Sequence, residues 1–309
     1  MIATRSQNSS HRRNAFTLIE LLIVIAIIGI LIGFLVPAVS GALKRARVTS
    51  VRAEISQLET AIGKFRSVYN MDPPSQITLY GLASGWTGDA NSRALIRQLW
   101  PQFNFAIDRD INGDGTAGDA PITLTSGECL VFFLGGISTT NIVGNIGSCT
   151  GFSKNPADPL ARGGTREAPL FEFLPNRFTD AGTANGFPEY RDPLPTQTMP
   201  YLYFSAYDGT GYATAGEFGA PGLTEPYRQG TTATSGYWKP NSYQIISPGY
   251  DRAYGFGGAF VPTGTDRLPS GTTVSSQYPN AYTSTAPTGA QRAFEADNIT
   301  NLASGELQP

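Results

Sequence analysis

The sequence predicts an α+β protein: one long N-terminal helix, membrane-spanning in its first half and amphipathic in its second, packed on a small antiparallel sheet with long Gly/Tyr/Pro-rich loops. Three observations lead there. Leu21 to Val39 is a stretch of nineteen residues without a charged or strongly polar side chain. Val48, Val51, Ile55, Leu58, Ile62, Phe65 and Tyr69 then recur at alternating spacings of three and four, an apolar stripe at helical period. Beyond Met71 that period gives way to short apolar runs punctuated by turn residues, in a chain with 35 Gly and 22 Pro.

The apolar run is long enough for a membrane-spanning helix, which needs about 17–25 residues, and exceeds the about 7–15 of a secretory signal peptide. The span is placed at about 18–39, inside a helix expected over 16–70. At 1.5 Å per residue that helix is about 80 Å long, and Asp72-Pro73-Pro74 ends it. Its amphipathic half fits either a coiled coil or a helix docked on its own domain; the globular sequence that follows at once favours docking. Glu20 stands at the lip of the apolar run. A carboxylate in a bilayer costs roughly 2.5–3.5 kcal/mol unless paired, which makes it a functional candidate. Gly29, Gly33, Pro37 and Gly41 recur every four residues, a small-residue stripe that another helix can approach and a stretch of weak helical preference. Arg5, Arg12 and Arg13 precede the span and Lys44, Arg45 and Arg47 follow it, so charge alone does not orient it.

Charged residues are 15% of the chain and the formal net charge is −2, without the basic stripe that nucleic-acid binding needs. The single histidine, His11, lies before the span. If residues 1–15 are removed as a leader, no histidine remains for a nucleophilic triad or a His-containing metal site. No G-x-S-x-G, P-loop or H-E-x-x-H pattern occurs, so an enzyme is not expected.

In the head, residues 71–309, Thr125-Ser126-Gly127-Glu128 reads as a capping box that opens a short buried helix through Cys129–Leu134, with a strand as the alternative, and Leu95–Trp100 reads as another short helix. Strands are expected at Leu170–Leu174, Tyr201–Tyr207 and Tyr243–Ser247. In the second, Leu202, Phe204 and Ala206 alternate against the tyrosines. The stretches 208–237 and 255–291 read as surface loop insertions.

Asp108, Asp110, Asn112, Asp114 and Asp119 fit the spacing that wraps a loop around one hard cation, with Gly113 at the sharp turn; Asp110-x-Asn112-x-Asp114-Gly115 forms a second, overlapping frame. Calcium is the expected ion, and a solvated Asp/Gly turn is the alternative. Gly113-x-Gly115-x-x-Gly118 matches a dinucleotide fingerprint by letters alone, with no strand expected before it. Cys129 and Cys149 are the two cysteines; outside the cytoplasm they are candidates for a disulfide, and two buried thiols are the alternative.

Arg12-Arg13-Asn14-Ala15, followed by Phe16-Thr17-Leu18-Ile19-Glu20-Leu21-Leu22 and the apolar run with Pro37, resembles the N-terminus of type IV prepilins and type II secretion pseudopilins. The resemblance implies a leader, residues 1–15, cut by a prepilin peptidase between Ala15 and Phe16, where the family usually has Gly before the cut. It further implies N-methylation of Phe16 and pairing of Glu20 with a neighbouring subunit's Phe16 amine. Gly29 and Pro37 match the pair between which the family's helix partly melts in filaments. The implied partners are identical or related pilin subunits, the peptidase, an inner-membrane assembly platform and the membrane. The implied location is the bacterial inner membrane, single-pass with the head outside the cytoplasm, and then a periplasmic or surface filament. Arg191-Asp192-Pro193, Pro200–Tyr203, Gln244–Asp251 and Ala296–Ile299 are similar to segments of major pseudopilins, which are usually shorter. That family binds calcium near its C-terminus, where Asp251 and Asp297 are the nearest matches. A minor, tip-located pilin that binds a surface, polymer or secreted cargo is the competing expectation.

Overall fold

The computed structural model describes residues 18–139, 141–142, 145–180, 185–212, 225–232, 234–269 and 292–308. Its helices are α1 (Leu18–Tyr69), α2 (Ala90–Leu99) and α3 (Ser126–Gly135). Its strands are β1 (Gln76–Leu79), β2 (Ile122–Thr125), β3 (Asn141–Ile142), β4 (Asn145–Ile146), β5 (Phe178–Thr179), β6 (Glu189–Tyr190), β7 (Leu202–Ser205), β8 (Tyr227–Arg228), β9 (Tyr243–Ser247), β10 (Gly258–Ala259) and β11 (Ile299–Thr300). A long helix and short, mostly antiparallel strands make this the α+β class that the sequence predicts. The chain divides into two compact units, and the division falls inside α1, between Ala46 and Arg47.

In the first unit, described from Leu18, α1 is exposed throughout and apolar on every side from Leu21 to Val39. Pro37 lies inside the helix and removes one backbone donor, yet the helical path continues past it. The Ser40 hydroxyl donates to the Pro37 carbonyl at 2.9 Å.

The second unit opens with the amphipathic half of α1. Val51, Ile55, Leu58, Ala61, Ile62 and Phe65 are buried, so the stripe read from sequence docks on the head. Against it lies α3, which is buried along its whole length. The expected capping box forms: the Thr125 N–H donates to Glu128 Oε2 at 2.8 Å. The first residue of α3 also carries a tertiary contact, since Ser126 Oγ accepts the Tyr203 N–H at 3.0 Å and ties the helix to β7. α2 starts earlier than expected because Asp89 caps it, accepting the Ser92 N–H at 3.0 Å.

β11, β9 and β7 form a three-stranded antiparallel sheet, with Leu202 opposite Ile246 and Ile299 opposite Ser247. The alternation along β7 sorts its residues between two cores. Tyr203, Tyr243, Ile245 and Ile299 join the core that contains α1 and α3. Leu202, Phe204 and Ile246 join a second core with Tyr227, Tyr254, Phe260 and Leu307. This corrects the expectation that 208–237 and 255–291 are surface loops: in their described parts, Tyr212, Tyr227, Phe260 and Leu268 are buried and cover the sheet's other face.

Three further differences have physical reasons. Leu170–Leu174 is not a strand; its first two N–H groups, of Leu170 and Phe171, both donate to the Leu134 carbonyl at the end of α3, while Phe171 and Phe173 pack on Tyr190. β1 and β2 pair antiparallel, Gln76 opposite Thr125, in a sheet too short to show in the sequence pattern. β10 and β8 pair parallel, because the second core brings their segments together.

Polar ties run beside the apolar seam. Glu54 receives Arg177 Nη1 and Nη2 at 2.6 Å each and the Tyr201 hydroxyl at 2.8 Å. Glu59 receives Lys239 at 2.9 Å and Asn301 at 3.1 Å, and Arg52 donates to the Ala303 carbonyl. The Arg177 and Glu54 side chains are only 17% and 13% exposed, against 32% for each of Lys239 and Glu59. Stranding a largely buried charge costs about 3–5 kcal/mol, whereas a more exposed pair is worth at most about 1 kcal/mol. Arg177→Ala should therefore destabilise the head by about 3 kcal/mol and Lys239→Ala by less than about 1 kcal/mol, measured by denaturant unfolding.

Candidate functional site

α1 presents the N-terminal candidates. Glu20 lies in its first turn, where a carboxylate meets the positive end of the helix dipole. Leu18 is 81% exposed and Phe34 75%, so this half of the helix offers apolar surface on every side. A Cβ added at Gly29 or Gly33 would meet nothing within 4 Å, which leaves the small-residue stripe open to a close neighbour. The stretch from Gly29 to Pro37 is helical throughout. Among the described residues α1 is the one helix long and apolar enough to cross a membrane, by length and composition. Residues 1–15, the Ala15–Phe16 junction and the Phe16 amine lie outside the described residues.

The acidic loop draws together residues from both overlapping frames. Asp110, Asp114 and Asp119 bring carboxylate oxygens within 4.8 Å of one another. That is the spread expected around a calcium ion with oxygen ligands at about 2.3–2.6 Å. Asp108 is directed elsewhere, accepting the Ala83 N–H at 2.8 Å. The cluster is therefore Asp110, Asp114 and Asp119, while the Asn112 carboxamide bonds to Asp114, accepting its N–H at 2.9 Å and donating to its Oδ2 at 3.2 Å. Backbone N–H groups hold the carboxylates in place: Gly113 and Gly115 donate to Asp110, Thr116 to Asp114, and Ile111 and Asn112 to Asp119. The Thr116 N–H keeps the Asp114 carboxyl below its ordinary range. Gly113 has φ +80 and lies against the Arg162 guanidinium, where a Cβ would fall 2.5 Å from its carbon. Arg162 donates to the Asp110, Ile111 and Ser138 carbonyls. The Arg162 cation thus lies beside the Asp110, Asp114 and Asp119 carboxylates, a neighbour that the sequence did not reveal because Arg162 bonds backbone oxygens far along the chain.

Asp251 and Asp297 meet at a second place. Asp297 Oδ2 accepts the N–H groups of Tyr250 and Asp251 at 2.6 and 3.1 Å. Desolvation pushes the Asp251 carboxyl up to about 6, opposed by the Ala253 N–H and reinforced by the Asp297 charge.

The candidate disulfide is not formed: Cys129 and Cys149 are not joined to each other. Cys149 Sγ lies against Gly135 at the C-terminal end of α3, where an added Cβ would be 2.7 Å away. Cys129 sits six residues earlier on the same helix, about 9 Å along its axis, beyond the reach of a disulfide's geometry. Burial pushes the Cys149 thiol up to about 11, so it stays protonated, within 3.8 Å of the Ser138 hydroxyl.

Residues 10–36 match the family model described as the prokaryotic N-terminal methylation motif. Glu20 and Gly29 lie within the matched stretch and Pro37 one residue beyond it. Together with the exposed apolar half of α1, the match supports a membrane-anchored, type IV pilin-like chain. No curated protein and no solved structure matches the chain.

The acidic loop yields a direct test. Calcium at a hundredfold excess over its Kd should stabilise the protein by about 2.7 kcal/mol if only the folded state binds it. Asp119 is one carbon shorter than the glutamate usual at the closing position, which points to an affinity of ~10⁻⁴–10⁻³ M. Melting curves in millimolar calcium against chelator should separate for the wild type and for Asp108→Ala, and coincide for Asp110→Ala. Coincident wild-type curves would make the loop a solvated turn braced by Arg162.

Proposed function

We propose that this chain is a structural subunit of a type II secretion pseudopilus or a type IV pilus-like filament, processed by a prepilin peptidase and assembled through α1. One observation carries the reading: the methylation motif at 10–36 runs directly into a helix whose first half is wholly exposed and apolar, with Glu20 in its first turn. Cleavage between Ala15 and Phe16 creates an amine at the start of that helix, and methylation keeps it basic. In the inner membrane the span is surrounded by lipid. In a filament the same apolar surface packs against neighbouring spans, and Glu20 meets the amine of an adjacent subunit, so that two charges neutralise each other where either alone would be costly. The open faces of Gly29 and Gly33 allow close helix approach. The head lies outside the cytoplasm, where calcium is plentiful enough for the 108–119 loop. The inner-membrane assembly platform, the peptidase and other pilin subunits are the partners.

A minor, tip-located role in binding a surface, polymer or cargo is the second reading. The second core favours it, because it enlarges the head on the sheet face that does not pack on α1.

Intact-mass and N-terminal peptide analysis of membrane-extracted protein should find a chain beginning at N-methylated Phe16. Glu20→Val should leave cleavage and membrane insertion unchanged while strongly reducing filament incorporation in a shear-and-sediment assay. A mature chain that still carries Met1, or a normal filament yield from Glu20→Val, contradicts the proposal.

A further inference from the structure

A groove of about 590 Å³ opens between α2 and the β1–β2 sheet, with Tyr207 on its far wall. That size is within the range of small-molecule sites, about 300–1,000 Å³. The two-residue alternation of β1 puts Ile77 and Leu79 into the core and leaves Gln76 and Thr78 on the groove side, beside Thr123 of β2. The outer face of α2 adds Asn91, Leu95 and Gln98, three positions that helical spacing brings together.

The lining chemistry narrows the ligand. Three carboxamides, Gln76, Asn91 and Gln98, line it with donors and acceptors, and the Thr78 and Thr123 hydroxyls, bonded to each other at 2.9 Å, keep one O–H and their remaining lone pairs. No Lys, Arg or His lines the groove, and its one charged member is the Asp89 carboxylate, so phosphates, nucleic acids and acidic sugars have no counter-charge. A lipid chain would bury the Asn91 and Gln98 amides against hydrocarbon, which is costly.

An extended peptide is also disfavoured. A strand added to the outer edge of β1 would need the N–H groups of Gln76 and Thr78, and both are taken. Gln76 donates to the Tyr207 hydroxyl at 3.2 Å and Thr78 to Ser92 Oγ at 3.0 Å. Tyr207 itself has φ +44, an uncommon and strained conformation for a residue with a large side chain. The fold thus holds an aromatic ring beside a row of neutral amides and hydroxyls before any ligand arrives, which lowers the ordering cost of binding. A neutral sugar suits such a surface, with hydroxyls for the amides and C–H faces for the ring.

We propose that this groove binds a neutral oligosaccharide. The site lies within the head, and its test does not depend on filament assembly. The full-length protein is placed in lipid nanodiscs without sugar-headed detergent. Maltose, cellobiose and chitobiose are titrated by saturation-transfer NMR, with glucuronic acid as the anionic control. At least one disaccharide should bind saturably and the control should not. Asn91→Ala and Gln98→Ala, both on the exposed face of α2 where alanine favours the helix, should each weaken binding at least tenfold with unchanged melting temperature. Lys154→Ala, exposed and outside the groove, should stay within twofold. The proposal is overturned if no disaccharide binds, if binding survives both α2 substitutions, or if a blocked hexapeptide binds in a Gln98-dependent way while the sugars do not.

Discussion

Glu54 lies on α1 and gathers two guanidinium N–H groups from Arg177 and the hydroxyl of Tyr201, all within 2.8 Å. Arg177 in turn stacks over Tyr190 at 4.2 Å and reaches the Arg191 carbonyl, so one carboxylate joins the helix to the segments of β5, β6 and β7. Its partners are too shielded for water to replace them cheaply. Burial, followed by the Glu54 charge, holds the Tyr201 hydroxyl well above its ordinary pKa and keeps it a donor. With the rotation of α1 fixed in this way, the six buried side chains from Val51 to Phe65 face the head. The sheet that β7 begins can then carry one core on each face. The rest of the fold hangs on this constraint: a single helix offers its first half as apolar surface on every side and locks its second half by a definite face.

The helix was legible in the sequence because both of its environments write long patterns, nineteen unbroken apolar residues and then seven positions at helical period. The capping box of α3 and the strands at Leu202–Ser205 and Tyr243–Ser247 were legible for the same local reasons. What failed was non-local. Leu170–Leu174 has the composition of a strand, but its N–H groups are consumed by the end of α3. The tyrosines of the Gly-rich insertions gave no sign that they would roof the sheet, because Tyr212 and Tyr227 stand singly among turn residues, with no apolar period to mark a buried face. Glu54 and Glu59 lie between the positions of the apolar stripe in the sequence; only the tertiary structure brings Arg177, Tyr201, Lys239 and Asn301 to them.

The candidate sites divide in the same way. Glu20, Gly29 and Pro37 are a local motif and stand where the sequence places them, on an exposed helix surface. The acidic loop brings Asp110, Asp114 and Asp119 together while Asp108 accepts the Ala83 N–H, an arrangement that spacing alone does not give. The cysteine pair was a matter of counting, and helix geometry separates it. The groove beside α2 was invisible in advance, because it is assembled from β1, β2, α2 and a strained tyrosine more than eighty residues away.

The central claim is that the second half of α1 is part of the head's cooperative core. Native-state amide hydrogen exchange on the full-length protein in nanodiscs tests it most directly. The amides of residues 51–65 should open only with global unfolding of the head, at the same free energy as those of 202–205 and 243–247. Exchange of 51–65 through a cheaper local opening, while the sheet amides stay protected, would contradict the account.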